Sequence, residues 1–330
     1  MSFSPFEPSF GLKNRHIQTL YASFFRKVEV DALEVEIFEL PDGDFLECAW
    51  LGKPEKGSSK PIIILFHGLA GSLNSPYING AMRSFKEEGI ASVVMQFRGC
   101  SGTPNRLPRS YHSGETGDAK AWIEHLHREF PHAELFAVGY SIGGNMLLKL
   151  LGEWGSASLI KAAISVSAPM QLEVCANQMN RGFSKFYQSV LMHDLKEALL
   201  QKYKLHNMKS LIGINERRVK HLKTFWEFDG AYTAPIHGFS SAADYYEKSS
   251  SKQYLKYIEV PTLIIHSLDD PFMTPEVLPE EEELSSSITL EITHNGGHVG
   301  FVSGSLTKPF YWLDARVTDY FKSFAGLVRR

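Results

Sequence analysis

Few cysteines, little charge imbalance and short hydrophobic runs narrow the classes of protein that this sequence can encode. The three cysteines among 330 residues are scattered and form no CxxC pair, which argues against a disulfide framework or a zinc or redox pair. Thirty-four Lys and Arg against 37 Asp and Glu give a formal net charge of −3, so we expect no nucleic-acid partner. The longest apolar runs, such as Ile62–Phe66, are strand-length and far shorter than the ~20 residues of a membrane helix.

The first ten residues, MSFSPFEPSF, contain two prolines and a glutamate but no basic stretch followed by an apolar one. They therefore do not resemble a signal peptide. Together with the low cysteine content, this favours a reducing compartment, and we expect a cytoplasmic protein without an integral membrane anchor. The 43% hydrophobic content suffices for a sizeable core and excludes wholesale disorder.

Strand-length and helix-length segments alternate along most of the chain. Alternating polar and apolar residues over 28–50, around a Pro-Asp-Gly turn at 41–43, predict an antiparallel hairpin. Five apolar runs predict strands buried on both faces: Ile62–Phe66, Ala91–Phe97, Leu135–Val138, Ala162–Val166 and Thr262–Ile265. Helices are predicted near 76–88, 117–129, 142–153 and 275–284. This order predicts an α/β fold with a mostly parallel central sheet flanked by helices.

The alternation stops near Pro169 and resumes at Pro261. Between them, apolar residues at i, i+3, i+4 and i+7 spacing predict an amphipathic helix: Phe183, Phe186, Tyr187, Val190, Leu191, Leu195 and Leu199. The simplest interpretation is that most of these side chains pack a helical insertion onto the sheet. We therefore expect a core formed by residues 1–169 and 259–330 and a helical cap formed by residues 170–258.

The segment Gly139–Gly144 has the sequence Gly-Tyr-Ser-Ile-Gly-Gly, which matches G-x-S-x-G between a predicted strand and a predicted helix. Such a turn holds its serine in a strained conformation, and the flanking glycines avoid clashes. The hydroxyl of Ser141 then projects above the sheet at the start of a helix, whose dipole favours developing negative charge. A dinucleotide-binding turn would require glycine in place of this serine.

A nucleophilic serine needs a histidine base and a carboxylate that orients the base. In the fold that uses this turn, the acid and then the histidine follow the serine along the chain. The predicted strand ending at His266 is followed by Ser-Leu-Asp-Asp-Pro, and the apolar run Ile288–Ile292 by the Gly-rich loop His294–Gly300. Both units therefore occur in the required order, at the sheet edge where parallel strands end.

We favour Asp270 as the acid because it precedes a proline and occupies the acid position of a G-x-x-D-like segment. Asp269 stays the alternative acid. If Asp270 is the acid, Asp269 can instead cap the following turn. We favour His298 over His294 as the base because the two preceding glycines let the loop fold back over the serine. These glycines also disfavour a helical zinc pair, and we expect no metal and no organic cofactor.

Acyl transfer also needs donors for a tetrahedral oxyanion. The segment His67–Ser72, His-Gly-Leu-Ala-Gly-Ser, follows the first predicted parallel strand, where this architecture supplies one donor. We expect the backbone amides of Leu69 and Ile142 to form the oxyanion hole, since Ile142 directly follows the nucleophile. His67 is expected to support this loop.

The chain resembles α/β-hydrolases of the YheT/EMB8 group, which are related to the eukaryotic ABHD1/2/3-type hydrolases. The resemblance covers nearly the whole chain and depends on these segments: Asn14–Thr19, His67–Leu69, Phe97–Gly102, Tyr111–Thr116, Gly139–Gly144, Tyr245–Tyr246, Asp269–Phe272 and Gly297–His298. It implies a triad of Ser141, Asp270 and His298 and activity on acyl esters. Relatives with a membrane anchor have an N-terminal hydrophobic segment that this sequence does not show, which favours the soluble bacterial type. No role follows for Arg98–Gly102 or Tyr111–Thr116.

The sequence therefore predicts a serine hydrolase that cleaves small-molecule carboxylic esters with a hydrophobic acyl part through an acyl-enzyme. Acyl transfer to an alcohol or thiol is the alternative with the same chemistry, because the acceptor depends on the cap. A non-catalytic binding protein is the alternative from another class, since this fold hosts many functions. Neither the natural substrate nor the oligomeric state follows from the sequence.

Overall fold

The computed structural model of the chain describes residues 4–9, 11–30 and 33–326, so part of the N-terminal segment discussed above lies outside the described residues. The described part contains an eight-stranded sheet. Its strands are β1 (Glu34–Glu39), β2 (Phe45–Leu51), β3 (Ile62–Phe66), β4 (Ala91–Met95), β5 (Leu135–Tyr140), β6 (Ile160–Val166), β7 (Thr262–Ser267) and β8 (Ile288–Thr293). Their spatial order is β1-β2-β4-β3-β5-β6-β7-β8. All neighbours from β4 to β8 pair in parallel, whereas β1 and β2 form an antiparallel edge.

Twelve α-helices and a two-stranded hairpin complete the described part of the fold. Outside the segment between β6 and β7, the helices are α1 (Arg15–Phe25), α2 (Pro76–Glu87), α3 (Thr116–Glu129), α4 (Ile142–Trp154) and α12 (Trp312–Phe324). Between β6 and β7 lie α5 (Leu172–Gln178), α6 (Ser184–Leu205), α7 (Met208–Ile212), α8 (Glu216–Lys220), α9 (Phe225–Phe228), α10 (Ala234–His237) and α11 (Ala242–Ser249). The hairpin pairs β9 (Val302–Gly304) with β10 (Pro309–Tyr311). None of these helices combines the length and the apolarity needed to cross a membrane.

The sheet separates two apolar layers. Alternate residues of β3 point to opposite sides: Ile62 and Ile64 join the layer under α3 and α4, whereas Ile63 and Leu65 join the layer under α2 and α12. Because helices cover both faces, all five residues of β3 are buried. The predicted α/β fold with a mostly parallel, helix-flanked sheet is confirmed.

The predicted hairpin and three of the four predicted helices are confirmed, but the helix predicted at 275–284 is wrong. That segment forms two separate 3₁₀ turns, Pro275–Val277 and Glu281–Glu283. The residue before Pro279 is extended, with φ −70° and ψ 145°, because a following proline disfavours the helical conformation. Proline also lacks the amide donor that a continuous helix would need there.

Residues 170–258, all of them described, form helices and turns and contain no strand. The predicted packing of its amphipathic series onto the sheet is only partly correct. Phe183, Phe186 and Val190 are 51%, 47% and 50% exposed, because the first turns of α6 lie beside α1 at the surface, where the rings of His16 and Phe183 meet at 4.5 Å. The boundaries of the predicted cap stay a prediction.

Arg98, in one of the segments to which the sequence assigned no role, is the centre of a buried ion cluster. Its side chain is 1% exposed, and its Nε and Nη2 donate to both oxygens of Asp118 at 2.6 Å. Nη1 donates to Asp44 at 3.0 Å and lies 2.8 Å from a carboxylate oxygen of Asp42. The cluster therefore ties the β1–β2 turn to the start of α3.

We predict that Arg98→Ala lowers the free energy of unfolding by about 3–5 kcal/mol, because the carboxylates of Asp44 and Asp118 stay buried and lose the guanidinium that contacts both of them. Arg83→Ala is the matched control, since Arg83 pairs with Glu87 at the surface and its loss costs under about 1 kcal/mol. Urea unfolding followed by circular dichroism measures both. Equal losses in the two variants would contradict the prediction.

Candidate active site

Ser141 occupies a strained turn between β5 and α4. Its φ of 53° and ψ of −121° lie in a region that non-glycine residues rarely adopt. The adjoining glycines leave no room for a side chain: a Cβ at Gly139 would lie 2.4 Å from the Gly143 carbonyl oxygen, and one at Gly143 would lie 2.5 Å from the Phe66 carbonyl oxygen. The sequence therefore folds here as the G-x-S-x-G motif predicts.

The structure brings the three sequence-predicted side chains into one hydrogen-bonded chain. His298 Nε2 lies 3.0 Å from Ser141 Oγ, and His298 Nδ1 lies 2.8 Å from Asp270 Oδ2. Asp270 is buried, and its second oxygen accepts the Phe272 N–H at 2.8 Å. The Phe272 ring stacks on the imidazole, with 3.9 Å between centroids and 9° between planes. This arrangement suits proton transfer from the serine to a fixed imidazole; the catalytic roles stay predictions.

The two neighbouring aspartates make different contacts. Asp269 does not reach the imidazole: its Oδ1 accepts the Gly297 N–H at 2.9 Å, and its Oδ2 accepts from the Asn295 side chain at 3.3 Å. It thus holds the loop that carries His298, whereas Asp270 contacts the ring itself. His294, the alternative base, is exposed on the outer side of this loop.

Helix α1 positions the histidine loop, a role that no local sequence pattern indicates. The Oγ1 of Thr19 accepts the His298 N–H at 2.9 Å. Gln18 Nε2 donates to the Val302 carbonyl at 2.9 Å, and its Oε1 accepts the Val302 N–H at 2.7 Å. Both side chains come from Asn14–Thr19, which the family resemblance singled out but to which no function was assigned.

The loop is itself strained and packed against α1. Four of the six residues from 296 to 301 have positive φ, two of them the non-glycine residues Val299 and Phe301. A Cβ at Gly300 would lie 2.4 Å from the Gln18 carbonyl oxygen. Strained backbone of this kind persists only when surrounding contacts determine it, so α1 is part of what fixes the histidine.

The two residues predicted to supply oxyanion donors, Leu69 and Ile142, both line the cavity described below. Gly68 lies against the serine, because a Cβ there would be 3.3 Å from Ser141 Cβ. The Ala70 N–H donates to the Tyr111 hydroxyl at 2.9 Å, which fixes the loop that contains Leu69. The role of the two amides stays a prediction.

The other unexplained segment, Tyr111–Thr116, connects the serine turn to the helices between β6 and β7. Asn145, in the first turn of α4, donates to the carbonyls of Ser113 at 2.9 Å and Ser249 at 2.8 Å. Its Oδ1 accepts the Ser251 N–H at 2.9 Å. The Ser113 N–H donates to the Tyr245 hydroxyl at 3.0 Å. This network holds α11 and the serine turn in a fixed relation.

A cavity of about 380 Å³ is lined by Ser141 and His298 and by residues of the helices between β6 and β7. That volume is typical of a small-molecule site. Most of the wall is apolar, with contributions that include Leu69, Leu172, Leu191, Leu195, Phe225 and Met273. The site can therefore hold an apolar group next to the serine hydroxyl.

Two ionisable side chains in this wall already have protein partners. Burial raises the pKa of Asp229 to about 6, and its carboxylate accepts from the Tyr246 hydroxyl at 2.7 Å. Burial lowers the pKa of Lys202 to about 8, and its Nζ donates to the carbonyls of Leu107 at 2.7 Å and Asn105 at 3.1 Å. Both groups are thus held within the wall.

One group of three side chains among the described residues has the composition of a metal site. Potential ligand atoms of Glu36, His125 and Glu129 lie within 4.8 Å of one another. The group belongs to β1 and α3 and does not line the cavity. It therefore has no part in the serine site.

Comparisons with known proteins agree with the fold. The α/β hydrolase fold family matches residues 61–305. The chain is 44% identical over 323 residues to YheT of Escherichia coli, which is named as a candidate esterase; the match covers 98% of this chain and 94% of YheT. It is 28% identical over 303 residues to the mouse phospholipase ABHD3, covering 90% of this chain and 73% of that protein. The solved esterase Pf2001 of Pyrococcus furiosus superposes with a TM-score of 0.58 at 15% identity, with 98% of each chain covered.

We predict that His67, beneath the Leu69 loop, stays neutral well below its ordinary pKa. Its Nε2 accepts the Phe97 N–H at 3.0 Å, so Nδ1 carries the proton and donates to the Gly68 carbonyl at 2.8 Å. Burial lowers the pKa of His67 to about 4. Since the unfolded chain binds a proton near pH 6.5, the stability that His67 contributes is complete above that pH and is lost as pH falls toward 4, by about 3 kcal/mol.

The pH dependence of urea unfolding between pH 7 and 4.5 measures this contribution. His67→Asn should show a shallower loss of stability on acidification than the unsubstituted protein. An NMR titration of the His67 ring with its midpoint near pH 6.5 would contradict the assignment.

Proposed function

Because the chain belongs to the α/β-hydrolase family, and within it to the YheT-like group, we propose that it is a serine hydrolase that cleaves carboxylic esters through an acyl-enzyme. The observation that carries the proposal is the unbroken Ser141–His298–Asp270 hydrogen-bond chain at the wall of an apolar cavity. The relatives support the ester class, since one is named as a candidate esterase and another as a phospholipase.

In the proposed mechanism, Ser141 Oγ attacks the ester carbonyl carbon while His298 Nε2 accepts the hydroxyl proton. Asp270 keeps the other imidazole proton on Nδ1 and stabilises the imidazolium that forms. The tetrahedral intermediate collapses, the C–O bond to the leaving alcohol breaks, and His298 returns the proton to that alcohol. Water then attacks the acyl-enzyme by the same route and releases a carboxylic acid and free Ser141.

The backbone amides of Leu69 and Ile142 are the proposed donors to the tetrahedral oxyanion. Ile142 is the first residue of α4, so its N–H lies at a helix start and is directed away from the helix body. The position of Gly68 against Ser141 supports the choice of its neighbour Leu69 as the second donor. Fixed donors of this kind supply several kcal/mol of transition-state stabilisation in acyl transfer.

The proposed substrate carries a hydrophobic acyl chain. The apolar wall contributed by α5, α6 and α9 accommodates methylene groups, each of which gains roughly 0.8 kcal/mol on leaving water. We also propose that residues 170–258 act as a cap on a core of residues 1–169 and 259–330. The cavity supports this division, because its wall combines Ser141 and His298 with side chains from the helical segment.

Hydrolysis of p-nitrophenyl esters from acetate to palmitate tests the proposed function. We expect turnover that rises with chain length up to the capacity of the cavity, and Ser141→Ala should reduce it by roughly 10⁴-fold or more. Turnover that survives in the Ser141→Ala variant would exclude the serine mechanism. Transfer of the acyl group to an added alcohol with negligible hydrolysis would identify an acyltransferase instead.

A matched pair of variants separates the two aspartates. Asp270→Asn should lower kcat by about 10⁴-fold, because an amide at this position favours the wrong imidazole tautomer. Asp269→Asn should lower kcat by less than about tenfold, because it alters only hydrogen bonds that hold the histidine loop. Steady-state kinetics on one p-nitrophenyl ester, with circular dichroism to check folding, gives both values. A larger loss in Asp269→Asn would reverse the assignment.

A further inference from the structure

Helix α1 turns its apolar side outward. Ile17, Leu20, Tyr21, Phe24 and Phe25 follow one another at i, i+3, i+4, i+7 and i+8, so they share one face of the helix. Ile17 is 41% exposed, Phe24 68% and Phe25 70%. An amphipathic surface helix ordinarily buries this face against the core, and α1 does the opposite.

The buried residues of α1 are Gln18, Thr19 and Ala22, and the contacts of the two polar ones fix the orientation of the helix. Gln18 is fully buried and binds both backbone groups of Val302, while the buried Thr19 binds the backbone of His298. Rolling α1 to bury its phenylalanines would break all these hydrogen bonds. The apolar face of α1 therefore stays exposed because the other side of the helix holds the histidine loop.

Two neighbouring elements extend the apolar surface. The His16 ring lies 4.5 Å from the ring of Phe183, which directly precedes α6. The Tyr21 hydroxyl donates to the Leu306 carbonyl of the β9–β10 hairpin at 2.7 Å. We name the combined surface the docking face; its exposed apolar members are Ile17, Phe24, Phe25, Phe183, Phe186, Leu306 and Phe310.

The segments that supply the docking face are rich in cations, although Asp269 acts electrostatically on His16 and Glu276 on Arg181. Segments 11–28, 181–190 and 303–310, which supply it, contain no Asp or Glu, although the whole chain has a formal net charge of −3. They contain six exposed cations: Lys13, Arg15, Lys27, Arg181, Lys185 and Lys308. A second copy of this face would bring like charges together, whereas anionic lipid headgroups match both the cations and the apolar centre.

Aromatic contacts lead from the docking face to the base. The Phe183 and Tyr187 rings lie 5.6 Å apart, Tyr187 and Phe272 lie 5.0 Å apart, and Phe272 stacks on His298. The docking face is therefore connected to the imidazole of His298 through three ring contacts.

We propose that the docking face binds the surface of an anionic phospholipid bilayer, with α1 lying in the plane of the interface. At about 16 Å, a helix of 11 residues is too short to cross the hydrocarbon core. The further consequence, that an acyl ester passes from the bilayer into the cavity, rests on the proposed function; binding itself does not.

Cosedimentation of the full-length Ser141→Ala variant with vesicles tests docking apart from catalysis. We expect binding to vesicles that contain phosphatidylglycerol, weaker binding to pure phosphatidylcholine vesicles, and a decrease with added salt. Phe24→Ser with Phe25→Ser should lower the partition coefficient by at least about tenfold. The matched control is Leu205→Ser with Leu211→Ser, two leucines 57% and 49% exposed at the far end of α6 and in α7, and it should bind as before.

Absence of binding to both vesicles, or an equal loss in the two double variants, would overturn the proposal. So would a dimer, measured by light scattering, that Phe24→Ser with Phe25→Ser dissociates, because the occupant would then be a second copy. Turnover of a short-chain p-nitrophenyl ester by the unsubstituted protein separates the docking hypothesis from the proposed function. Vesicle binding without turnover would refute the proposed function alone, and turnover without vesicle binding would refute docking alone.

Discussion

The contact between Ser141 and His298 joins residues 157 positions apart, and much of the molecule serves to hold it. The serine side is fixed by backbone packing so tight that Gly139 and Gly143 admit no side chain. His298 lies in a strained loop, whose conformation depends on contacts with other segments. Asp269 and Thr19 bind its backbone, Asp270 binds the ring, and Phe272 covers it. The proposed chemistry depends on contributions from both ends of the chain.

The parts of this arrangement that the sequence predicted are those with local signals. Apolar runs bounded by turns identify buried parallel strands, and G-x-S-x-G needs only its own glycines to form the serine turn. The order of the strand–acid and strand–histidine units then brought Asp270 and His298 to one sheet edge. The choice between Asp269 and Asp270 was harder to support, because neighbouring residues differ in side-chain direction, which depends on the loop geometry.

The parts that the sequence did not predict depend on tertiary partners. Gln18 and Thr19 are ordinary helix residues until β9 and the histidine loop supply their partners from nearly 300 positions away. No local pattern indicates that Arg98 is buried, because the carboxylates that surround it, Asp44 and Asp118, belong to other segments of the chain. The helical periodicity of α6 correctly predicted a helix, but periodicity alone did not show that Phe183 and Phe186 stay exposed. The helix predicted at 275–284 was wrong, and Pro279 within that segment is a local signal against it.

Exposed apolar and buried polar side chains on α1 follow from one constraint. The helix must present hydrogen-bonding groups to the backbone of the histidine loop, so its apolar residues are left on the outer side. We have proposed that a lipid surface covers them. Helix α1 would then both contact the lipid surface that supplies the substrate and hold the loop that orients His298.

Reaction with a fluorophosphonate probe, followed by peptide mass spectrometry, tests the central claim most directly. The reagent phosphonylates a serine only where a base and oxyanion donors activate it. We predict a single adduct on Ser141 in the folded protein and none in Ser141→Ala or in the urea-unfolded chain. A folded protein without an adduct at Ser141, or with an adduct on another serine that persists in Ser141→Ala, would contradict it.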